Sequence, residues 1–168
     1  MVKSAGFALI LCAGTLFPLQ RISAEKHRLD TLRSFCIMLE QFSALLESEV
    51  LPMPELVEKL EGRAKGAGRI FLEILHGSLD RLGETDFQGL WQAALEAAPD
   101  PGEEARRDLS ALGTVLGQYL LEAQKDALRG CILSLRAQAD SAGAELPRIR
   151  RTSIVCSLAA VMLGIVLI

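Results

Sequence analysis

Residues 45–60 read LLESEVLPMPELVEKL, in which two helical patterns are separated by two prolines one residue apart. Pro52 predicts the end of the first helix, because the residue before a proline is pushed out of the helical conformation. Pro54 suits the first position of a second helix, where its missing N–H costs nothing. A PxxP ligand needs two residues between its prolines and an extended chain, so the segment predicts a corner between two helices.

The helical pattern continues on both sides of this corner, and no stretch alternates as a strand. Apolar residues recur in steps of three and four, which predicts helices with one buried face. Thr85 or Asp86 predicts the start of a short helix through its capping side chain. The fold class predicted for residues 25–147 is therefore an all-α bundle of about six helices. The predicted buried stripes are Leu29, Leu32, Cys36, Leu39, Phe42, Leu46 and Val50; Leu56, Val57, Leu60 and Ala64; Ile70, Phe71, Ile74, Leu75, Leu79 and Leu82; Phe87, Leu90, Trp91, Ala94 and Leu95; Leu109, Leu112 and Leu116; and Leu120, Leu121, Gln124, Leu128, Ile132, Leu135 and Ala139.

Two uncharged apolar segments, 5–19 and 152–168, enclose this region. A spanning helix needs roughly 17–25 mostly apolar residues, so we predict transmembrane helices over 1–20 and 152–168. The first segment is also compatible with an uncleaved signal anchor. A cleaved signal peptide that ends near Ala24 is the remaining alternative.

The charges beside these segments predict their orientation. Arg21 follows the first segment, and Arg148, Arg150 and Arg151 precede the second. Because Lys and Arg concentrate on the cytoplasmic side of spans, the domain 25–147 is predicted to be cytoplasmic. The net charge is −3, with 21 acidic residues, which argues against a nucleic-acid surface.

The sequence contains no recognisable catalytic or cofactor motif. Its four cysteines and two histidines lack the spacing of a metal site or redox motif, so the cysteines are predicted to be buried thiols. Ser78 lacks the flanking pattern of a nucleophile elbow. The glycine-rich segment 62–68 lacks the P-loop pattern and predicts a flexible turn between helices. We therefore predict no enzyme activity, no metal and no cofactor.

Two further pairs of residues each have a structural and a functional interpretation. Glu47 and Glu49 point in different directions on a helix, so they are not a carboxylate pair for acid–base chemistry. They predict a solvated acidic face, or a contact surface for a basic partner. Gly113 and Gly117 lie four residues apart on one helical face. They predict close helix packing or, at Gly117, a helix end.

Three segments follow one another in a characteristic order between the two apolar ends. They are LLESEVLPMPELVEKL with Glu47, Glu49, Pro52 and Pro54; the Trp91 helix with Ala94 and Leu95 after a Gly-Glu-Thr turn; and Leu112-Gly113, Leu116-Gly117 and Gln124 before the last long helix. This order and spacing resembles the stage III sporulation protein AB family of spore-forming bacteria. The resemblance covers essentially the whole chain and rests on the series of segments rather than on one specific motif.

The resemblance implies a membrane scaffold without catalytic residues or a cofactor. The family belongs to the assembly that connects the mother cell to the forespore, and its soluble domain is similar to the cytoplasmic domains of type II secretion F platform proteins. Such a protein would lie in the mother-cell membrane around the forespore and bind a companion ATPase and other membrane subunits, with self-association left open. The alternative is a membrane-tethered helical sensor or regulatory domain that binds a small ligand.

Overall fold

The computed structural model describes a chain of six α-helices and one short 3₁₀ turn. Over the described residues, which are 2–48, 51–81, 83–116 and 121–166, it contains no β-strand. The helices are α1 (Val2–Ser48), α2 (Met53–Glu61), α3 (Gly66–Ser78), α4 (Phe87–Ala97), α5 (Glu103–Leu116) and α6 (Leu121–Val166), and the 3₁₀ turn Leu79–Arg81 follows α3. The predicted all-α class is confirmed.

The chain divides into two compact units. The first comprises Met1–His27 and Ser141–Ile168, and the second comprises Arg28–Asp140. Side chains are described for 23–48, 51–81, 83–116, 121–145 and 147, so those of both predicted spans and of Arg21, Arg148, Arg150 and Arg151 lie outside the described set. Among the residues that are described, no helix has the length and apolar character needed to cross a membrane.

The proline corner differs by one position from the sequence-based expectation. Pro52 is the N-cap of α2, with φ −58° and ψ 146°, and the helix begins at Met53. Pro54 therefore occupies the second helical position rather than the first. The carbonyl oxygen of Pro52 accepts the first helical hydrogen bond, from the N–H of Leu56 at 3.1 Å. The second position suits Pro54 equally well, because none of the first four N–H groups of a helix has a partner within it.

The core of the second unit is centred on three aromatic side chains from three different helices. Phe35 of α1 meets Phe71 of α3 with ring centroids 5.7 Å apart, and Phe71 meets Trp91 of α4 at 4.8 Å. Both pairs are edge-to-face, the geometry that aromatic quadrupoles favour. Trp91 is only 1% exposed, in agreement with its place in a predicted buried stripe.

The indole of Trp91 lies directly against the backbone of α5 at Gly113. A Cβ atom at Gly113 would lie 2.7 Å from the indole Cγ and 2.8 Å from its Nε1, and closer still to Cδ1. The indole N–H donates a hydrogen bond of 2.8 Å to the carbonyl oxygen of Leu109, one turn earlier in α5. Gly113 therefore permits a close approach to α5, as predicted, but the group that approaches is the indole ring of Trp91. Gly117 lies outside the described residues.

We expect Gly113→Ala to lower the free energy of unfolding by about 1–3 kcal/mol, because the added methyl group overlaps the buried indole. Gly130→Ala is the matched control, since a Cβ there would meet no atom within 4 Å. This exposed helical glycine should gain about 0.5–1 kcal/mol on the same change. Urea denaturation of both variants measures the difference. Equal effects at the two positions would contradict the role assigned to Gly113.

The glycine-rich segment 62–68 forms the turn between α2 and α3 and the first residues of α3, and it is bonded to α1. The hydroxyl group of Ser34 in α1 accepts a hydrogen bond from the N–H of Gly68 at 2.8 Å and donates one to the carbonyl oxygen of Lys65 at 2.6 Å. Gly66 has φ +59°, a conformation that side chains disfavour. Lys65, the N-cap of α3, makes no side-chain capping bond. Ser34 therefore supplies this cap from another helix.

We expect Ser34→Ala to cost about 0.5–2 kcal/mol of stability, the usual effect of losing a helix cap. Ser78→Ala is the control, because the Ser78 hydroxyl only donates to the carbonyl of Ile74 within its own helix. The free energy of unfolding of that variant should stay within about 0.5 kcal/mol of the value for the unsubstituted chain. Thermal unfolding followed by circular dichroism compares them. A loss at Ser78 as large as that at Ser34 would show that the contact between helices is unimportant.

Two members of the predicted buried stripes are exposed. Ile70 of α3 is 43% exposed, and Leu121 at the start of α6 is 42% exposed. In α3 the buried side carries Ala67, Phe71 and Leu75. One residue turns the helix by about 100°, so Ile70 points away from that side. Helix α6 also continues through Pro147.

Candidate functional site

A polar depression opens beside the proline corner, between α2, α3 and the 3₁₀ turn. Its volume is about 540 Å³, and its lining residues are Pro54, Glu61, Glu73, His76, Gly77, Leu79 and Asp80. Pro54 enters the lining because it occupies the first turn of α2. The other lining residues come from the end of α2, the second half of α3 and the 3₁₀ turn.

The polar side chains of the depression are largely paired with one another or with neighbours. His76 Nδ1 lies 2.5 Å from Glu61 Oε2, and Glu73 Oε1 accepts a hydrogen bond of 2.8 Å from Arg69 Nε. A histidine held by a carboxylate is half of a nucleophilic site, which also needs a hydroxyl or thiol. The lining supplies neither. Ser78 lies just outside it, and its hydroxyl donates to a backbone carbonyl.

The described residues contain no group of three or more His, Cys, Asp or Glu side chains that is arranged to hold a metal ion. The two histidines do not contribute to such a group. Near His76, the Glu61 carboxylate contacts the imidazole and the Glu73 carboxylate accepts from Arg69. The depression therefore has the character of a surface recess rather than of an assembled catalytic centre.

Cys36 and Cys131 are buried free thiols on α1 and α6. Burial, with a smaller effect of the Glu40 carboxylate, raises the pKa of Cys36 to about 11. Burial and the neighbouring Asp108 raise the pKa of Cys131 to about 12. Because the thiolate is the reactive form, neither group is a nucleophile near neutral pH.

We expect both thiols to resist iodoacetamide at pH 8 in the folded protein, since their raised pKa values keep them protonated and burial blocks access. An unperturbed thiol, with a pKa of about 8.5, would be partly ionised at that pH. Peptide mapping by mass spectrometry distinguishes the four cysteines and should show modification of Cys36 and Cys131 only after denaturation. Rapid modification of either in the folded chain would contradict this assignment.

Two ion pairs connect α1 to α6. Glu40 Oε1 accepts hydrogen bonds from Arg136 at 2.7 and 3.0 Å, and Glu47 Oε1 accepts one from Arg129 at 3.1 Å. We call these four residues the α1–α6 seam. The pairing shows that α1 and α6 run antiparallel within the second unit. Glu47 thus has a partner within the chain, whereas Glu49 lies outside the described residues.

Other residues singled out in the sequence occupy structural positions. Leu116 is buried at the end of α5, and Gln124 is the buried polar residue of α6. Sequence reasoning missed the polar contact between α5 and α6. There Asp108 Oδ2 accepts hydrogen bonds from Ser134 at 2.6 Å and from Gln138 at 2.9 Å. Its only signal in the sequence is an acidic residue directly before Leu109 of the buried stripe.

These observations define the class of protein as an all-α domain built around aromatic contacts, with exposed ion pairs and a shallow polar recess. The family model described as Stage III sporulation protein AB matches residues 3–168, and the chain belongs to this family. The resemblance drawn from the sequence is confirmed. The family is one of sporulation-complex subunits, so the chain is a sporulation protein.

The fold is also similar to that of a solved structure. That structure is titled Stage III sporulation protein AB (SpoIIIAB) and superposes with a TM-score of 0.63 at 15% sequence identity. The match covers 71% of this chain and 96% of the other chain. At this identity the likeness shows a shared fold. No curated protein matches the chain.

Proposed function

We propose that the chain is an integral-membrane scaffold subunit of the secretion-like complex that connects the mother cell and the forespore. The observation that carries this proposal is the antiparallel pairing of α1 and α6 through Glu40–Arg136 and Glu47–Arg129. Because of this pairing, residues 28 and 140 lie at the same end of the second unit. A domain whose first and last residues lie at the same end is suited to attachment through two membrane-spanning helices.

The distribution of charge supports two membrane helices, 1–20 and 152–168, around a cytoplasmic domain of residues 25–147. The segments 5–19 and 152–168 carry no charged residue, whereas the region between them contains all 21 acidic residues. Arg21, Arg148, Arg150 and Arg151 lie on the sides of the segments that face this region. The positive-inside rule then supports a cytoplasmic domain, which in this proposal faces the cytoplasm of the mother cell.

In this role the domain would bind a companion secretion-type ATPase and other membrane subunits of the same complex. The resemblance to type II secretion F platform proteins supports this choice of partners. The described surface supports a non-catalytic role, because Glu61, Glu73 and His76 of its recess are engaged in contacts and no hydroxyl or thiol lines it. Binding would therefore depend on shape and charge at the helical surfaces.

The recess favours one alternative function, a membrane-tethered regulatory domain that binds a small ligand. Its volume of about 540 Å³ is sufficient for such a ligand. However, a ligand would have to displace the Glu61–His76 and Arg69–Glu73 contacts, which are already formed. The scaffold function requires no such displacement, and we favour it for that reason.

The topology can be tested with a single engineered thiol. Ala111 lies on the exposed side of α5, so Ala111→Cys should be reactive. In intact cells a membrane-impermeant maleimide should leave position 111 unlabelled, and labelling should appear after permeabilisation. The unsubstituted chain controls for its four natural cysteines. Labelling at this position in intact cells would overturn the cytoplasmic placement.

The role itself can be tested in a sporulating host. Deletion of the chain should arrest sporulation at the stage of forespore engulfment, and the tagged full-length chain should co-purify with a secretion-type ATPase. Restoration of spore yield by the unsubstituted chain is the control. A normal spore yield in the deletion strain would contradict the proposal.

A further inference from the structure

Two large apolar side chains are exposed beside the α1–α6 seam. Leu133 of α6 is 66% exposed, and Ile37 of α1 is 54% exposed. Each lies three residues before a member of the Glu40–Arg136 ion pair, and residues three apart are neighbours on a helix surface. Because the helices are antiparallel, Ile37 and Leu133 lie on opposite sides of that pair along the helix direction.

The surface around Leu133 is open. Gly130 and Ala137, one turn before and one turn after it, are both exposed. A Cβ atom at Gly130 would meet no other atom within 4 Å. Single exposed apolar residues are common on proteins and need no explanation. Here, however, two of them share one face with four charged residues in a regular arrangement.

The charges of the seam are arranged in two rows of opposite sign. The acidic row, Glu40 and Glu47, lies on α1, and the basic row, Arg129 and Arg136, lies on α6. Members of each row are seven residues apart, which is about 10.5 Å along a helix. The two rows are therefore equal in number and in spacing. A surface of this kind complements a second copy of itself better than a partner of one charge sign.

We propose that the α1–α6 seam is the interface of a symmetric homodimer whose two-fold axis runs parallel to these helices. Rotation about that axis places α1 of each copy over α6 of the other, so that each acidic row faces a basic row. A two-fold axis across the helices would instead place α1 over α1 and bring like charges together. Complementary charges of this kind determine which partner and which orientation are accepted.

The same axis places Leu133 between the two ion-paired levels of the facing α1 helix, next to the exposed Ala44 of the second copy. It also leaves residues 28 and 140 of both copies at the same end of the dimer. This second feature rests on the proposed function, because two copies anchored in one membrane must present their chain ends to the same side.

Charge-swap variants of the full-length chain test this interface. E40R/E47R makes both rows basic, and R129E/R136E makes both rows acidic. Sedimentation equilibrium in density-matched detergent should give two chains per particle for the unsubstituted protein and one for each variant alone. An equimolar mixture of the two variants should again give two chains, because every facing pair is then of opposite sign. High salt should weaken this mixed dimer.

Matched controls distinguish the interface from a general effect of charge. Glu103 and Arg107 form an exposed pair on α5, so E103R and R107E should leave two chains per particle. Circular dichroism melting verifies that the seam variants are folded. Leu133→Asp should remove the dimer without altering the paired charges, whereas Ala111→Asp on the exposed side of α5 should not.

Three results would overturn the proposal. They are one chain per particle for the unsubstituted protein, dimers that persist in all seam variants, and a mixture of the two charge variants that contains no dimer. A monomeric chain that loses its co-purifying ATPase on Leu133→Asp would assign the surface to a different partner and likewise overturn it. The dimer experiments can fail while the maleimide test at position 111 still indicates a cytoplasmic domain. That combination would refute the dimer and leave the membrane-scaffold proposal unaffected.

Discussion

The contact between the Trp91 indole and the backbone of α5 is the constraint on which the packing of the central helices depends. A ring this large can approach the backbone of a helix so closely only where a side chain is missing, and Gly113 supplies that gap. The hydrogen bond to the Leu109 carbonyl then satisfies the buried indole N–H. Since the same ring meets Phe71, and Phe71 meets Phe35, one contact determines the relative position of four helices.

Polar contacts between helices complement this aromatic centre. Ser34 of α1 caps α3, and Asp108 of α5 receives two hydrogen bonds from α6. Each connects elements far apart in the sequence and satisfies groups that would be costly to leave unpaired. Apart from Gln124, the buried side chains of the described residues are apolar, so these hydrogen bonds supply a directional preference that aliphatic packing lacks.

On the described surface, the groups that could take part in chemistry are held in contacts within the chain. The recess beside Pro54 holds an imidazole and carboxylates, but their contacts are with one another and with Arg69. The thiols are buried, and burial raises their pKa values. Exposed ion pairs contribute little to stability on average, so the regular charge rows of the seam are better suited to partner selection than to folding.

The sequence by itself determined the helical class, the corner at Pro52 and Pro54, a helix start at Thr85 or Asp86 and the burial of Trp91, because periodicity, proline geometry and capping act over a few residues. The structure decided between the two capping residues, since the Asp86 side chain accepts a hydrogen bond from the N–H of Gly89. The family followed from the order of such local segments. Only the tertiary structure decided that Gly113 receives an indole, that Ser34 caps a distant helix and that Glu47 pairs with Arg129. It also decided that Ile70 and Leu121 are exposed. These outcomes depend on which helices become neighbours, a property of long-range packing that no short window of sequence contains.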